Sequence, residues 1–336
     1  MSSSSSTLSL VLSLKSITLQ LNRSVTILIL LLGQFGNILN IYIFTRKPLR
    51  RNTCGLYILS STIANIFSFT FGLIPYILSS GYGINLSTRS AFICKCQSYF
   101  YYVCLILSSW FLLLACIDRY CSTHRSAQRR KFSRLSIAYR LILITTIICF
   151  LIHIHFLIYI YYTSTNQCAV LTQTYIIFLY CYLVIFYSLL TPLIYLLFGI
   201  LTVLNVKKSS RRIIPQFQTV NQRTINTQLI KILLIQILSY TCLTLPYSLM
   251  NLYLLLLSYY KVERSQERQA IESFILLLLR LLWYSNSGVN FYIYTLTGRL
   301  FRQELIKIIP KYFHTQTQST RTTITNIYHL RSVQQS

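Results

Sequence analysis

Residues 101–120 read YYVCLILSSWFLLLACIDRY, a run of uncharged and mostly apolar residues that ends at Asp118 and Arg119. A helix needs about 20 apolar residues to cross roughly 30 Å of hydrocarbon. With the residues that precede it, this run is long enough, and we predict a membrane span over residues 92–118. The span ends in an acid–base pair at a membrane boundary, where a buried charge is costly and usually functional. Taken alone, the arginine could equally be a basic residue that flanks a span.

Six further apolar runs of membrane length occur along the chain, at residues 24–44, 56–80, 136–162, 172–205, 228–258 and 270–294. All seven runs, numbered spans 1 to 7 in chain order, are continuous over about 20 to 30 residues, which predicts helices rather than the short alternating strands of a barrel. The predicted fold class is an all-α membrane protein, a seven-transmembrane helix bundle over residues 24–296. Residues 1–23 are predicted to be an extracellular N-terminal tail. A cleaved signal peptide there is the alternative, although the stretch lacks a basic start.

The composition excludes several classes of function. Of 336 residues, 54% are hydrophobic and 11% are charged, with a mean hydropathy of +0.55, so too few charges remain to cover a soluble protein. Only five residues are acidic, which argues against carboxylate-pair hydrolases and acid-rich metal sites. The chain also lacks a glycine-rich phosphate loop and the common zinc and serine-hydrolase motifs. We therefore expect no catalytic activity, no metal and no cofactor.

The basic residues predict how the chain crosses the membrane. The formal charge of +26 could indicate nucleic-acid binding, but 23 of the 31 Lys and Arg residues fall on one side of the predicted spans. By the positive-inside rule that side is the cytoplasm, which places the N-terminus outside and the C-terminus inside. The sequons at Asn22 and Asn85 then face the exterior, where glycosylation occurs. The sequence therefore predicts a multi-pass protein of the plasma membrane that binds no nucleic acid.

The segment after span 7 differs from the spans. Residues 300–309 place apolar side chains at helical spacing with basic ones between them, before Pro310. Residues 297–310 are therefore predicted to form a short amphipathic eighth helix on the inner leaflet. Residues 311–336 are polar and rich in Ser and Thr, which predicts a disordered cytoplasmic tail.

Several short motifs occur in a fixed order on these spans. They are Gly36-Asn37 in span 1, Cys94 at the start of span 3, Asp118-Arg119-Tyr120 at its end, Cys168 before span 5, Pro192 in span 5, Pro246 in span 6, and Asn290 and Tyr294 in span 7. Each motif is weak by itself, but in this order and spacing the chain resembles the rhodopsin-like family of G-protein-coupled receptors over residues 22–309. The resemblance implies a receptor that binds an extracellular ligand and promotes nucleotide exchange on a heterotrimeric G protein. Arrestin binding through the Ser- and Thr-rich tail is a further possible partnership.

The resemblance also implies roles for these residues. Asp118 would hold Arg119 at rest, and Arg119 would be released toward the G protein and Tyr294 on activation. Pro192 and Pro246 would be hinges, with a static kink as the simpler alternative. A disulfide is expected between Cys94 and Cys168, with Cys96 as a competitor. The remaining implied residues form a polar core made of Asn37, Asn65, Ser108 and Asn286.

The chain departs from the family pattern at several positions. Asn65 stands where the family has an aspartate, so a neutral amide replaces the charge that holds a sodium ion there. Thr244 stands where the family has a tryptophan two residues before the proline of span 6, and Phe291 replaces a proline of span 7. These departures put the details of switching in doubt and indicate a divergent or orphan branch.

The ligand class is predicted from the outer halves of spans 3 and 7. Tyr101 stands where amine receptors carry an aspartate, and Tyr284 where opsins carry the retinal lysine, which argues against both ligand classes. Arg280 lies one turn above Tyr284 and, with Tyr101 and Tyr102, predicts a basic aromatic pocket for a carboxylate or an amidated aromatic peptide, such as a neuropeptide. Alternatively, Arg280 extends to the outer surface or pairs with Glu272.

Two other kinds of protein remain as alternatives. A chemosensory receptor of the same fold would differ only in its ligand. A transporter or channel is also polytopic, but it is expected to show internal repeats and broken helix pairs, whereas this chain has an odd number of unrepeated spans.

Overall fold

The chain folds into a single bundle of membrane-length helices. The computed structural model describes residues 2–162, 168–170, 172–210 and 220–307. Within these ranges, six helical segments are long and apolar enough to cross a membrane: Thr7–Phe44, Thr53–Gly81, Ala91–Thr123, Leu135–Tyr159, Gln173–Lys208 and Thr227–Tyr259. The seventh span consists of two helices, Gln266–Ser285 and Asn290–Thr297. The predicted seven-helix architecture is confirmed.

Apolar side chains cover the outside of this bundle. Leu143, Leu193 and Leu238 lie on spans 4, 5 and 6, and each leaves about 60% of its surface exposed (61%, 60% and 65%). Since lipid is as apolar as leucine, such a surface is stable in a bilayer and would aggregate in water. The polar groups that are buried lie between the helices instead, where the candidate site is found.

Polar side chains fix where several spans begin. Asn52 caps span 2 by accepting hydrogen bonds from the amides of Cys54 and Gly55, at 3.0 and 3.4 Å. Ser90 caps span 3, and Ser265 caps the helix Gln266–Ser285, each through its hydroxyl. These contacts satisfy amides that have no partner within the first turn of a helix, so each cap defines a helix start.

Span 1 is much longer than predicted. Its helix runs from Ser2 to Phe44 and does not begin near the expected boundary between residues 23 and 24. Residues 2–32 contain neither proline nor glycine, and leucines recur from Leu8 onward, so nothing in this stretch interrupts a helix. Arg23 marks the level of the outer end of span 2, because its Nε donates to the carbonyl of Gly81 at 2.7 Å.

Prolines coincide with irregular helix geometry in spans 2 and 5. Span 2 has two π-helical stretches, Phe69–Leu73 and Ile77–Gly81, on either side of Pro75. In span 5, a π-helical stretch, Leu183–Leu190, precedes the helix Thr191–Ser210, which contains Pro192. A proline removes one backbone hydrogen bond and clashes with the preceding turn, which explains both irregularities. Pro246 lies inside the continuous helix Val220–Tyr259 of span 6.

Span 4 ends earlier than predicted. The helix Leu135–Ile152 is followed by a turn and the short helix His155–Tyr159, and strand β1 then covers Ile160–Tyr162. Strand β1 pairs in antiparallel register with β2, Cys168–Val170, so that Tyr162 lies opposite Cys168. The residues at the predicted end of span 4 are β-branched and aromatic, which suits them to a strand.

A disulfide attaches this hairpin to span 3. Cys94 is bonded to Cys168, with their Cα atoms 5.6 Å apart, while Cys96 is a free and partly exposed thiol. The segment between spans 4 and 5 that contains Cys168 is therefore anchored to the N-terminal end of span 3.

The amphipathic helix after span 7 is shorter than the predicted range of 297–310. It covers Arg299–Ile306 and packs Phe301 against Phe44 and Tyr294, with ring centroids 5.8 and 5.7 Å apart. Residues 308–310 and the predicted tail at 311–336 lie outside the described residues.

Candidate functional site

The C-terminal end of span 3 holds a buried ion pair. Arg119 donates through Nη2 and Nε to the Oδ2 atom of Asp118, at 2.5 and 3.1 Å, and both side chains are less than 5% exposed. Nη2 of Arg119 also lies 3.3 Å from the hydroxyl of Thr53 on span 2. In a buried pair of this kind, removing one partner leaves the other charge buried without a counter-charge. Separating the two side chains therefore costs free energy unless both gain new partners or reach water.

Arg119 also borders a small cavity between spans 3, 5 and 6. The cavity has a volume of about 10 Å³, and Cys116, Gly199 and Leu234 line it with Arg119. A Cβ added at Gly199 would lie 2.9 Å from the Cδ2 of Leu234, so spans 5 and 6 are in close contact here. Spans 3, 5 and 6 therefore pack around the arginine, which is 3% exposed.

Tyr120 points away from this pair and contacts the following loop. Its hydroxyl accepts a hydrogen bond from Nη1 of Arg129 at 2.6 Å, and the same guanidinium lies 3.0 Å from Nε2 of His124. Partial desolvation, together with the charges of Arg129, Arg125 and Arg130, lowers the pKa of His124 below its usual value. The lowered pKa favours the neutral ring, whose Nε2 can accept a hydrogen bond from the guanidinium.

Asn290 and Tyr294 share one partner on span 6. Gln236 donates from Nε2 to the Oδ1 of Asn290 at 2.9 Å, and its Oε1 accepts from the hydroxyl of Tyr294 at 3.1 Å. Sequence reasoning missed Gln236. The available signal was a single amide inside the otherwise apolar run 232–238 of span 6.

Three of the four predicted polar-core residues meet at one cavity. Asn65, Ser108 and Asn286 line a space of about 10 Å³, large enough for about one water molecule. Ser108 donates to the Oδ1 of Asn65 at 2.7 Å. None of the residues that line this cavity carries a charge. Asn37 lies elsewhere, because its Nδ2 donates to the carbonyl of Ser287 at 3.1 Å and joins span 1 to span 7.

A larger cavity lies at the outer end of the bundle. Its volume is about 270 Å³, and Tyr76, Tyr101, Tyr102 and Tyr284 line it together with the loop residue Asn85. A Cβ added at Gly72 would lie 2.2 Å from the ring of Tyr101. The ring of Tyr101 therefore fits here only because residue 72 has no side chain. Three of the predicted pocket residues are thus brought together, and Tyr76 is a fourth aromatic that sequence reasoning missed.

Arg280 lies behind this cavity and faces the interior of the bundle. Its Cζ is 5.0 Å from the ring centroid of Tyr76 and 5.9 Å from that of Tyr247. Among the described residues, no carboxylate lies within 4 Å of this guanidinium. The alternative pairing with Glu272 is wrong, because that carboxylate is bonded to the guanidinium groups of Arg264 and Arg268, at 2.9 and 2.8 Å.

One tryptophan connects the outer cavity with the centre of the bundle. Trp283 of span 7 stacks on Tyr247 with ring centroids 4.6 Å apart, and its ring lies 6.2 Å from that of Tyr101 and 6.4 Å from that of Tyr187. Thr244, at the position where the family has a tryptophan, is fully buried and bonds only to the carbonyl of Tyr240 on its own helix. The aromatic side chain beneath the cavity thus comes from span 7 rather than span 6.

The two sequons have different environments. Asn22 is 5% exposed, lies within the helix of span 1, and accepts a hydrogen bond from the hydroxyl of Tyr76 at 2.9 Å. A glycan on this nitrogen would need space that span 2 fills, so the structure argues against glycosylation at Asn22. Asn85 is exposed in the loop between spans 2 and 3.

Comparison with known proteins identifies the family. Residues 36–294 match the family described as 7 transmembrane receptor (rhodopsin family). The chain belongs to the rhodopsin family of seven-transmembrane receptors. This is a family of receptors rather than of enzymes, and its members are multi-pass membrane proteins. In this rhodopsin-family receptor, the buried pair of Asp118 and Arg119 marks one end of the bundle and the tyrosine-lined cavity the other.

Curated relatives match part of the chain. Proteins named "Probable G-protein coupled receptor 34" from Pan troglodytes, Pan paniscus and Gorilla gorilla gorilla are 30% identical to it over 106 residues, which is 31% of this chain and 26% of each relative. The match thus spans about a quarter of the length of these relatives.

Proposed function

We propose that this receptor binds an extracellular ligand in the outer cavity and, in response, activates a heterotrimeric G protein at its inner end. The observation that carries the proposal is the buried pair of Asp118 and Arg119 at one end of a bundle whose other end holds a cavity of about 270 Å³. A side chain that is paired and covered at rest becomes a new surface when the bundle opens, which is how a bistable polar element transmits a signal. The names of the relatives support coupling to a G protein.

The proposed orientation follows the basic residues. The loop that contains Arg125, Arg129 and Arg130 is adjacent to the ion pair, and it would face the cytoplasm of a plasma-membrane receptor. The outer cavity and the disulfide-anchored hairpin would then face the exterior. An arrestin that binds the Ser- and Thr-rich tail remains a second proposed partner.

The proposed ligand carries an anionic or strongly hydrogen-bonding group and aromatic surface, as a short neuropeptide does. Arg280 supplies a positive charge that no carboxylate of the described chain neutralises, and the tyrosines supply aromatic surface with hydroxyl groups. A carboxylate or an amide oxygen would gain a charge-assisted hydrogen bond from the guanidinium.

The experiment that tests the coupling compares Arg119→Ala with wild type in cells that express a promiscuous G protein, screened with a neuropeptide library. We expect agonist binding to persist and second-messenger output to be lost. Lys131→Ala is the matched control, because it removes an exposed positive charge from the adjacent loop. Full output from Arg119→Ala at equal surface expression would contradict the proposed mechanism.

A further inference from the structure

We propose that Gln236 is a latch that holds the inner half of span 6 against span 7 in the resting receptor. The proposal rests on the proposed signalling function, but it concerns a contact within the chain and is tested without a G protein.

The latch uses both ends of one side chain. The amide of Gln236 donates to Asn290 at 2.9 Å and accepts from Tyr294 at 3.1 Å, and all three side chains are buried. Asn290 and Tyr294 are four residues apart and therefore lie on the same face of their helix, one turn from each other. A single side chain of span 6 thus bridges two successive polar groups of span 7.

The surroundings make the latch either fully closed or fully open. In the described structure the side chain of Gln236 bonds to Asn290 and Tyr294, and the hydroxyl of Tyr240, one turn outward on span 6, is already bonded to the carbonyl of Tyr187. A small displacement of span 6 would leave the buried amide without a protein partner, and an unpaired buried polar group costs more than its hydrogen bond contributes. The two bonds are therefore expected to break together.

The opposite side of span 6 contacts the cavity that Arg119 borders. Leu233, Leu234 and Ile237 close that cavity from span 6, while Cys116 and Arg119 close it from span 3. Pro246 lies ten residues outward from Gln236, and a proline weakens a helix at one point. The segment inward of Pro246 can therefore pivot as a unit, and once the latch opens it would uncover Cys116 and Arg119.

Cys116 offers a direct readout in the native chain. It is 3% exposed and lines the cavity, so a thiol reagent reaches it only when span 6 moves away. Cys149 is the internal reference, since it is fully buried and its thiol contacts the carbonyl of Val103, between spans 4 and 3. We would label the full-length receptor in lipid nanodiscs with N-ethylmaleimide and measure the rate at each cysteine by peptide mass spectrometry.

The decisive variant is Gln236→Leu, which keeps the approximate size of the side chain and removes both hydrogen bonds. We expect labelling of Cys116 to accelerate several-fold while Cys149 stays at the wild-type rate. Tyr294→Phe, which removes only one of the two bonds, should give a smaller acceleration and keeps the test possible should Gln236→Leu not fold. Thr241→Val is the matched control, since the hydroxyl of Thr241 bonds only to the carbonyl of Ile237 on its own helix.

Two results would overturn the latch: an unchanged rate at Cys116 in the variants that fold, or an equal rise at Cys116 and Cys149, which would indicate general loosening. Faster labelling of Cys116 with no G-protein output from any variant, including wild type, would support the latch and contradict the proposed function.

Discussion

Two arginines within the helix bundle of this receptor are stabilised in different ways. Arg119 has a carboxylate at 2.5 Å, whereas Arg280 lies over the faces of Tyr76 and Tyr247. An arginine at the centre of a membrane helix costs about 2.5–3.5 kcal/mol. A cation–π contact offsets about 0.5–2 kcal/mol of such a cost. The aromatic rings therefore stabilise Arg280 without neutralising its charge.

The potency of an agonist on Arg280 variants should depend first on the charge of the new side chain and then on its shape. Arg280→Lys keeps the charge but loses the planar fork, so it should reduce the potency of an agonist found by library screening less than Arg280→Gln does. The loss for Arg280→Gln should be about 1.5–3 kcal/mol, the usual range for a charged hydrogen bond. Concentration–response curves at equal surface expression measure both, and Lys261→Gln, an exposed position between spans 6 and 7, is the control. Equal potency in all four receptors would place the ligand elsewhere.

The two sequons should differ when each is mutated. Because Asn22 is buried against Tyr76 and Asn85 is exposed, only Asn85→Gln should remove a glycan. Electrophoretic mobility before and after treatment with a glycosidase measures this. A mobility shift in Asn22→Gln would show that the outer part of span 1 opens during biosynthesis.

At the scale of helices and strands, the sequence predicts the spans well and their ends poorly. Long apolar runs are a local property, so all seven spans could be predicted from hydropathy. The ends depend on contacts that hydropathy does not report, such as the caps at Asn52 and Ser90 and the hairpin that shortens span 4. Contacts between side chains of different spans were even harder to predict from the sequence. Gln236 and Asn290 are 54 residues apart, and nothing in the sequence pairs them.

The disulfide should be essential for the outer end of the bundle. Cys94 and Cys168 are 74 residues apart, and closing a loop of that length is worth about 4 kcal/mol in the chain-entropy model. Cys94→Ser and Cys168→Ser should each abolish surface expression, measured with an antibody on intact cells. Cys96→Ser should not, since that thiol is free. Normal surface levels of Cys168→Ser would show that the hairpin is dispensable for folding.

Spans 1 and 7 should depend on their glycines. A Cβ added at Gly288 would lie 2.7 Å from the Cα of Gly33, and a backbone atom cannot move aside as a side chain does. Gly288→Ala should therefore separate the two spans and lower the midpoint of thermal unfolding by several degrees, measured with a thiol-reactive dye. Gly81→Ala is the control, because its nearest neighbour would be a flexible Arg23 side-chain atom at 3.4 Å. Similar midpoints for both variants would mean that the spans adjust at little cost.

For the whole molecule, the absence of charge in the polar core is the main departure from the pattern of the family. The cavity that Asn65, Ser108 and Asn286 line contains only neutral side chains. A cation bound there would lose its hydration shell without gaining a carboxylate, which is unfavourable in a low-dielectric interior. The core is therefore suited to water rather than to sodium.

Sodium should accordingly have no specific effect on the receptor. The midpoint of thermal unfolding of the purified receptor should be the same in sodium chloride and in potassium chloride at equal ionic strength. In Asn65→Asp, which restores a carboxylate to the cavity, sodium should raise the midpoint relative to potassium. A sodium-specific increase in wild type would reveal a second cation site.

The neutral core also bears on how the receptor responds to membrane voltage. Moving one elementary charge across the membrane potential changes the free energy by about 2.3 kcal/mol per 100 mV. An ion that entered or left the core during activation would feel part of this field, and signalling would then vary with the electrical state of the cell. Because the side chains around the core of this receptor carry no charge, no gating charge arises there. Depolarisation should therefore move no charge through this core, in resting and in excitable cells alike.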